Sequence, residues 1–195
     1  VIKSFKEEKT PQMIWGERVH KDFEDRLAHD KPLPIDLTDH EPYLAKLEAL
    51  GGILNTEQKI AINKQMQPCE FFGQDVWMRG IIDLSIIFAS TGIIVDYKTG
   101  KPHAKPHQLA LFGIWAFAKY PFLEAIKTEF YWTKTCGTTE NQYVRDDLAD
   151  MWGMFMPDLT QYKEAFHTDT WQKRPSGLCN GWCGVRTCEH WKPKR

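Results

Sequence analysis

Long apolar stretches are missing from this chain. No run approaches the ~18–20 residues that a helix needs to span a bilayer, so no transmembrane helix is expected. No secretory leader is expected either, since the opening VIKSFKEEKT is polar and charged, and a cytoplasmic location is expected. The chain starts on Val1 rather than Met, which leaves open an N-terminal segment ahead of it. Charge of one sign is missing, with a net charge of −1, so bulk electrostatics do not advertise a polyanionic partner. The five cysteines are an odd number and three crowd the C-terminal end. That argues against a disulfide framework and for a reducing compartment or a metal site. No Gly-rich Walker loop is present, so no ATP-driven step is implied. Internal repeats and low-complexity linkers are absent too. What remains, with 42% apolar and 26% charged residues in 195, is one domain with a real core over residues 1–170. A cysteine-bearing tail over 171–195 is expected to pack on it.

Charge is unevenly spread. Residues 1–50 carry eleven acids against eight Lys or Arg, whereas 171–195 carry six Lys or Arg against Glu189 alone. A basic end on a neutral body either guides a phosphate backbone or is a solvated tail.

Periodicity outlines the elements. Val19, Phe23 and Leu27 recur every four residues and predict a helix over 15–29, broken by Pro32 and Pro34. A short helix is expected over 40–50, stopped by Gly51-Gly52, and a strand containing Glu57 over 53–63. Further strands are expected over 69–88 and 92–98, then a helix over 104–119 with Pro106 in its first turn. Two strands over 126–134 and 140–145 should flank a Gly-Thr-Thr turn, followed by a helix over 146–166 that Pro157 kinks or splits. Trp115 and Trp152 fall on apolar helix faces, while Trp15, Trp171 and Trp182 suit the surface. Cys69 and Cys136 read as small hydrophobes within the fold.

Asp83, Asp96 and Lys98 carry the chemistry. Asp83 interrupts the apolar run IIDLSIIF, and twelve residues separate it from Asp96, which follows the run IIV. Two such runs around a Ser-Thr-Gly turn predict a β-hairpin on which the two acids converge. Aspartate is disfavoured in apolar strands, so a pair of them needs a reason. Convergent carboxylates form a hard oxygen site suited to Mg²⁺ or Mn²⁺. Lys98, two residues after Asp96, projects from the same face of its strand. Carboxylates, a divalent ion and a nearby ammonium together suit metal-assisted attack of water on a phosphodiester.

The order Gly80-Ile81-Ile82-Asp83, then Val95-Asp96-Tyr97-Lys98-Thr99-Gly100, then Gln108, resembles the PD-(D/E)XK nuclease superfamily. The upstream Gly16-x-x-x-His20 makes it similar to the RecB-like exonuclease branch. The resemblance covers roughly residues 15–120. It implies an α/β fold with a restriction-endonuclease-like αβββαβ core, a mixed central sheet flanked by helices. It implies that Asp83, Asp96, His20 and the backbone carbonyl of Tyr97 ligate the metal. Lys98 would then hold or polarise the attacking water, or stabilise charge on the phosphate, and Gln108 would orient Lys98, the water or a phosphate. Relatives often place a tyrosine four residues after that glutamine; here the position is Phe112, so the role of that hydroxyl is lost or passes to another residue. Glu57 is either a further site carboxylate or the partner of a lysine such as Lys59. Lys101, His103, Lys105 and His107 either touch phosphates or belong to a solvated loop.

Cys179, Cys183 and Cys188 look like a ligand set, since three thiolates within ten residues can wrap one soft metal. Some RecB-like nucleases end in cysteines that hold an iron–sulfur cluster, but no cysteine precedes His20 to supply their fourth ligand. Three readings stay open: a 4Fe-4S cluster, a structural Zn²⁺ completed by His190, or no metal. The run Arg174-Pro175-Ser176-Gly177-Leu178-Cys179 is similar to the endings of small stand-alone bacteriophage nucleases, which implies a bacterial host cell.

The resulting expectation is a divalent-metal-dependent DNA exonuclease acting at free ends, with single-stranded DNA preferred, in phage-type replication, recombination or degradation. Replication or recombination proteins would be its partners. A structure-selective endonuclease and a non-catalytic DNA-binding module organised by the tail are the alternatives. A pure binder has no need of paired carboxylates that repel phosphates.

Overall fold

The computed structural model describes residues 9–103 and 106–193. The chain divides into two compact units, one spanning Ile14–Phe155 and the other joining residues up to Met13 with those from Met156 onward.

In the larger unit the elements run α1 (Pro11–His29, begun in the other unit), α2 (Glu41–Glu48), β1 (Ile53–Asn63), β2 (Val76–Ile87), β3 (Thr91–Lys98), α3 (Pro106–Lys119), β4 (Ala125–Trp132), β5 (Gly137–Val144) and α4 (Leu148–Gly153). The strands form one sheet in the order β1-β2-β3-β4-β5. All neighbours are antiparallel except β3 and β4, which run parallel and are joined through α3. This is a mixed α/β fold with the expected α-β-β-β-α-β order of a restriction-endonuclease-like core.

Each face of the sheet has its own core. On one side α3 buries Leu109, Phe112, Trp115 and Phe117 against Ile94, Ile126 and Phe130. Apolar residues surround α3 because it is enclosed by the sheet and by α4. On the other side α1 lays Val19, Phe23 and Leu27 over Val95, Tyr97 and Leu84, with Leu44 and Leu47 of α2 completing the layer. The four-residue stripe read from the sequence is this contact. Thr10 accepts a hydrogen bond from the Met13 amide (3.3 Å) and starts α1 four residues earlier than expected.

Other boundaries also moved. A 3₁₀ helix over Ile35–His40 precedes α2, where the sequence shows only prolines and acids. Residues 69–75 lie outside the strand that was expected to begin at 69. The β2–β3 turn is Phe88-Ala89-Ser90, closed by Phe88 N to Thr91 O (2.8 Å), and Thr91-Gly92 already belongs to β3. Likewise Gly137-Thr138-Thr139 lies inside β5 and the turn falls at Thr133–Cys136. Cys136 is therefore corrected: it is exposed at a left-handed turn (φ 47°), not a small hydrophobe of the core. Its Sγ lies 3.5 Å from Nδ1 of buried His40, whose ring also meets the Tyr131 hydroxyl (2.9 Å). The helix expected over 146–166 is split: α4 ends at Gly153 and a separate helix begins at Met156, with Pro157 in its first turn, where its missing N–H costs nothing. The expectation for residues 104–105, Lys105 included, lies outside the described residues.

The smaller unit contains helix α5 (Met156–Thr168) and a short 3₁₀ turn over Gly177–Cys179. Exposed Tyr162 and Trp171 meet edge to face (5.7 Å) beside a cavity of about 580 Å³. None of the expected site residues lines that cavity. The tail folds back on itself through Lys192 N to Cys179 O (2.8 Å) and Trp191 Nε1 to Cys183 O (3.1 Å). Trp171 and Trp182 are exposed there, as expected.

Candidate metal centre

The site begins where a ladder ends. Leu84↔Val95 is the last pair of β2 and β3, so Asp83 and Asp96 face each other at the first position beyond it. The strands part there and leave backbone groups to be satisfied. Asp83 Oδ2 meets that need by accepting the Tyr97 amide at 2.7 Å.

A second distortion lies opposite. Thr56↔Leu84 and Gln58↔Ile82 flank Glu57, which places it directly across from Asp83. Glu57 is left-handed (φ 46°), a conformation that costs a non-glycine residue about 1–2 kcal/mol. The effect shows in the packing. Leu84 belongs to the α1-side core but Ile82, two residues away, to the α3-side core; Leu54 and Ile60 of β1 change sides in the same way. An unbent strand keeps residues two apart on one face. Both strands thus switch faces at the Glu57/Asp83 pair. Beyond it Gly80 lies against α3, with the Trp115 ring standing 2.1 Å from where a glycine-replacing Cβ would sit. Only glycine admits the ring, which gives the Gly-x-x-Asp spacing a steric meaning.

Helix α1 delivers His20. Its Nε2 lies 2.9 Å from the Tyr97 carbonyl and its Nδ1 3.3 Å from Asp83 Oδ1. Gly16, one turn earlier, lets the helix approach: an added Cβ would stand 3.3 Å from Thr99 Oγ1. On the α3 side, Lys98 Nζ ion-pairs with Asp96 Oδ2 and lies 4.9 Å from the Phe130 ring centroid. Gln108 Nε2 donates to Asp96 Oδ1 at 3.4 Å. Asp83, Asp96, Lys98, His20, Gln108, Glu57 and the Tyr97 carbonyl are therefore brought together.

The electrostatics suit a cation. Burial, then the neighbouring Asp83 charge, raises the Asp96 carboxyl to about 6 against the pull of Lys98 and His20. Burial, then Asp83, also raises Glu57. Burial opposes charge on His20, but Asp83, Asp96 and the Tyr97 carbonyl outweigh it and raise its pKa. Several acids thus crowd one partly buried place and share too little positive charge.

The donor set fits a divalent ion. Donor atoms of His20, Glu57 and Asp83 lie within 4.8 Å of one another, a group that could hold a metal. Asp96 lies outside that group, its buried Oδ2 held by the Lys98 ammonium. The 2.9 Å between His20 Nε2 and Tyr97 O is a hydrogen bond when the nitrogen is protonated. It is also about the spacing of adjacent ligands on an octahedral ion with bonds of about 2.0–2.1 Å. A cavity of about 390 Å³ opens on this side, lined by Gly16, Glu17, His20, Lys21, Glu24 and Glu57. Glu24 and Lys21 were missed from the sequence. The four-residue step from His20 to Glu24 on one helix face was the available signal for Glu24.

Other expected residues lie apart from this centre. His103 and Lys101 are exposed, and His103 Nδ1 contacts the Lys101 carbonyl (2.9 Å). His107 packs near Phe155. Lys59 forms no ion pair with Glu57 among the described residues. Nor do Cys179, Cys183 and Cys188 form a three-donor group: among the described residues only His20, Glu57 and Asp83 do so.

No described helix is long and apolar enough to cross a membrane. No protein-family model matches the sequence, and no curated protein does. Among solved structures, the chain is similar to a "Putative exonuclease" from Eubacterium rectale at 15% identity and a TM-score of 0.45, over 91% of this chain and 81% of that one. It is also similar to the crystal structure named SSO0001, at 14% identity and a TM-score of 0.38, over 97% and 91% of the two chains.

Proposed function

We propose that the chain is a divalent-metal-dependent nuclease that hydrolyses DNA phosphodiester bonds from free ends. The observation that carries this reading is the meeting of Asp83, Asp96, Glu57, His20 and Lys98 at one forked point of the sheet. Asp83, Asp96, His20 and the Tyr97 carbonyl would hold Mg²⁺ or Mn²⁺, with Glu57 as a further carboxylate. Such an ion supplies Lewis acidity toward the phosphate and lowers the pKa of bound water. The chain's own groups do the rest. Lys98 lies beside Asp96 on the strand, where its ammonium can hold the attacking water or meet a phosphate oxygen. Gln108 fixes the Asp96 carboxylate and limits its rotation. Asp83 is fixed by the Tyr97 amide, so the acids are held before substrate arrives. The catalytic domain is read as residues 1–170, with 171–195 as a structural appendage that takes iron–sulfur or zinc if it takes any metal.

Digestion of linear and covalently closed circular single-stranded DNA, with Mg²⁺ or with EDTA, tests the proposal. Metal-dependent loss of the linear form and survival of the circle support an exonuclease. Cutting of the circle moves the reading to an endonuclease, and the absence of cleavage of either form with Mg²⁺ or Mn²⁺ ends it.

A further inference from the structure

Beyond the Glu57/Asp83 pair the β1–β2 hairpin presents a face that the cores leave uncovered. Strand alternation places Lys59 two residues beyond Glu57 on that face, and Ile81 and Arg79 two and four residues beyond Asp83. At about 3.3 Å per residue the row runs about 13 Å from the carboxylates. Ile81 is 44% exposed there although it is aliphatic. The loop between the strands folds back over the row's far end with Phe71 and Phe72. Lys59 Nζ lies 5.7 and 5.9 Å from the two ring centroids, and Arg79 Cζ lies 5.3 and 5.0 Å from them. Arg79 is braced by a hydrogen bond to the Phe71 carbonyl (2.9 Å). Phe72 nevertheless remains 76% exposed.

This grouping gathers positive charge and exposed aromatic surface at one place. Two cations share one aromatic pair, and among the described residues neither has a carboxylate partner. An anion can bind between the two cations, and a flat apolar ring beside that anion suits a base. A polymer that alternates phosphates with aromatic bases matches both. Bases in a duplex are stacked on one another and hide their faces, so the exposed ring favours an unpaired strand.

We propose that this face is a binding track for single-stranded DNA, with Lys59 and Arg79 on phosphates and Phe72 stacked on a base, leading the strand to the carboxylates. The polymer's identity rests on the nuclease reading above; the track adds residues outside the metal centre.

Fluorescence anisotropy with a short labelled oligothymidine, in EDTA so that nothing is cut, tests the track. Phe72→Ala should weaken binding about tenfold or more, and Phe72→Trp should retain it. The double variant Lys59→Gln, Arg79→Gln should reduce the slope of log affinity against log salt by about 1.4, as expected for two lost phosphate contacts on a single strand. Phe122→Ala, which removes an aromatic elsewhere on the surface, should change neither. No binding by the wild-type protein, or unchanged affinity and salt slope in the track variants, overturns the proposal. An equal loss on a blunt duplex overturns the single-strand assignment. Cleavage is scored separately. A protein that binds through these residues and never cuts keeps the track and loses the nuclease reading. One that cuts with unaltered track variants does the reverse.

Discussion

Glu57 stands across the β1–β2 ladder from Asp83, and its left-handed backbone marks the point where both strands change faces. Strain of this kind is kept where surrounding packing over-determines it. Here it aims a carboxylate toward His20 and Asp83 and opens the side of the sheet that α1 approaches.

Strain and function at Glu57 should separate on substitution. Glu57→Gly admits the left-handed conformation freely and should leave stability unchanged or raise it by up to about 1 kcal/mol, while cleavage falls. Glu57→Val should lower stability by about 1 kcal/mol or more, because a β-branched residue is strained there. Thermal unfolding with parallel cleavage assays checks this; a glycine variant less stable than the valine variant would refute the strain argument.

Asp83→Ala, Asp96→Ala and Lys98→Ala should each lower turnover at least about a thousandfold, about 4 kcal/mol of barrier, and leave the circular dichroism spectrum intact. A variant with near-normal turnover would remove that residue from the site.

Metal dependence follows from the ligand chemistry. Mg²⁺ and Mn²⁺ should support cleavage, EDTA should abolish it, and Ca²⁺ should support little, being larger with a looser shell. His20→Ala should harm the Mn²⁺ reaction at least as much as the Mg²⁺ reaction, since Mn²⁺ tolerates nitrogen better. Strong cleavage in EDTA would end the metal mechanism.

Burial raises Asp96 to about 6 from the ordinary 3.8, so the metal-free folded protein holds a proton that the unfolded chain has lost between those values. The sign is that ionised Asp96 costs stability: its contribution worsens as pH rises from about 4 to about 6 and is then constant. Asp96→Asn should therefore stabilise the metal-free protein at pH 7.5, by on the order of 1–3 kcal/mol, while abolishing cleavage. Metal affinity of the wild type should fall as pH drops below about 6. Denaturant titrations in EDTA at pH 5 and 7.5 check this; a variant less stable than wild type at pH 7.5 would contradict it.

Cys179→Ser, Cys183→Ser and Cys188→Ser should change stability or DNA affinity more than the metal preference of cleavage, because soft thiolates and the hard carboxylate site choose different ions. Protein purified without oxygen decides the cofactor: absorbance near ~400 nm with bound iron indicates a cluster, and about one colourless zinc indicates a Cys₃His site. Neither metal, with a fully active triple-serine variant, leaves ordinary free thiols.

The sequence by itself determined which segments are apolar strands, that the two acid-bearing runs form a hairpin, and which residues are polar where apolar ones belong. Runs such as IIDLSIIF and GIIVDYK, β-branched and bounded by turn residues, suit adjacent buried strands, and the stripe Val19, Phe23, Leu27 needs an apolar surface to cover. Asp83, Asp96, Lys98 and His20 were therefore legible as candidates, and their helices and strands arose at nearly the expected places. The tertiary structure alone decided their geometry. A left-handed Glu57 is invisible to periodicity, because local preference opposes it and only the two packed cores impose it. Gly80 reads as a weak strand residue until the Trp115 ring occupies the space of its absent side chain. The β4–β5 turn fell at Thr133–Cys136 because register with β4 outweighed the turn preference of Gly137-Thr138-Thr139. Lys59, Arg79, Phe71 and Phe72 lie up to twenty residues apart, and only the folded hairpin and its returning loop bring their charges and rings together.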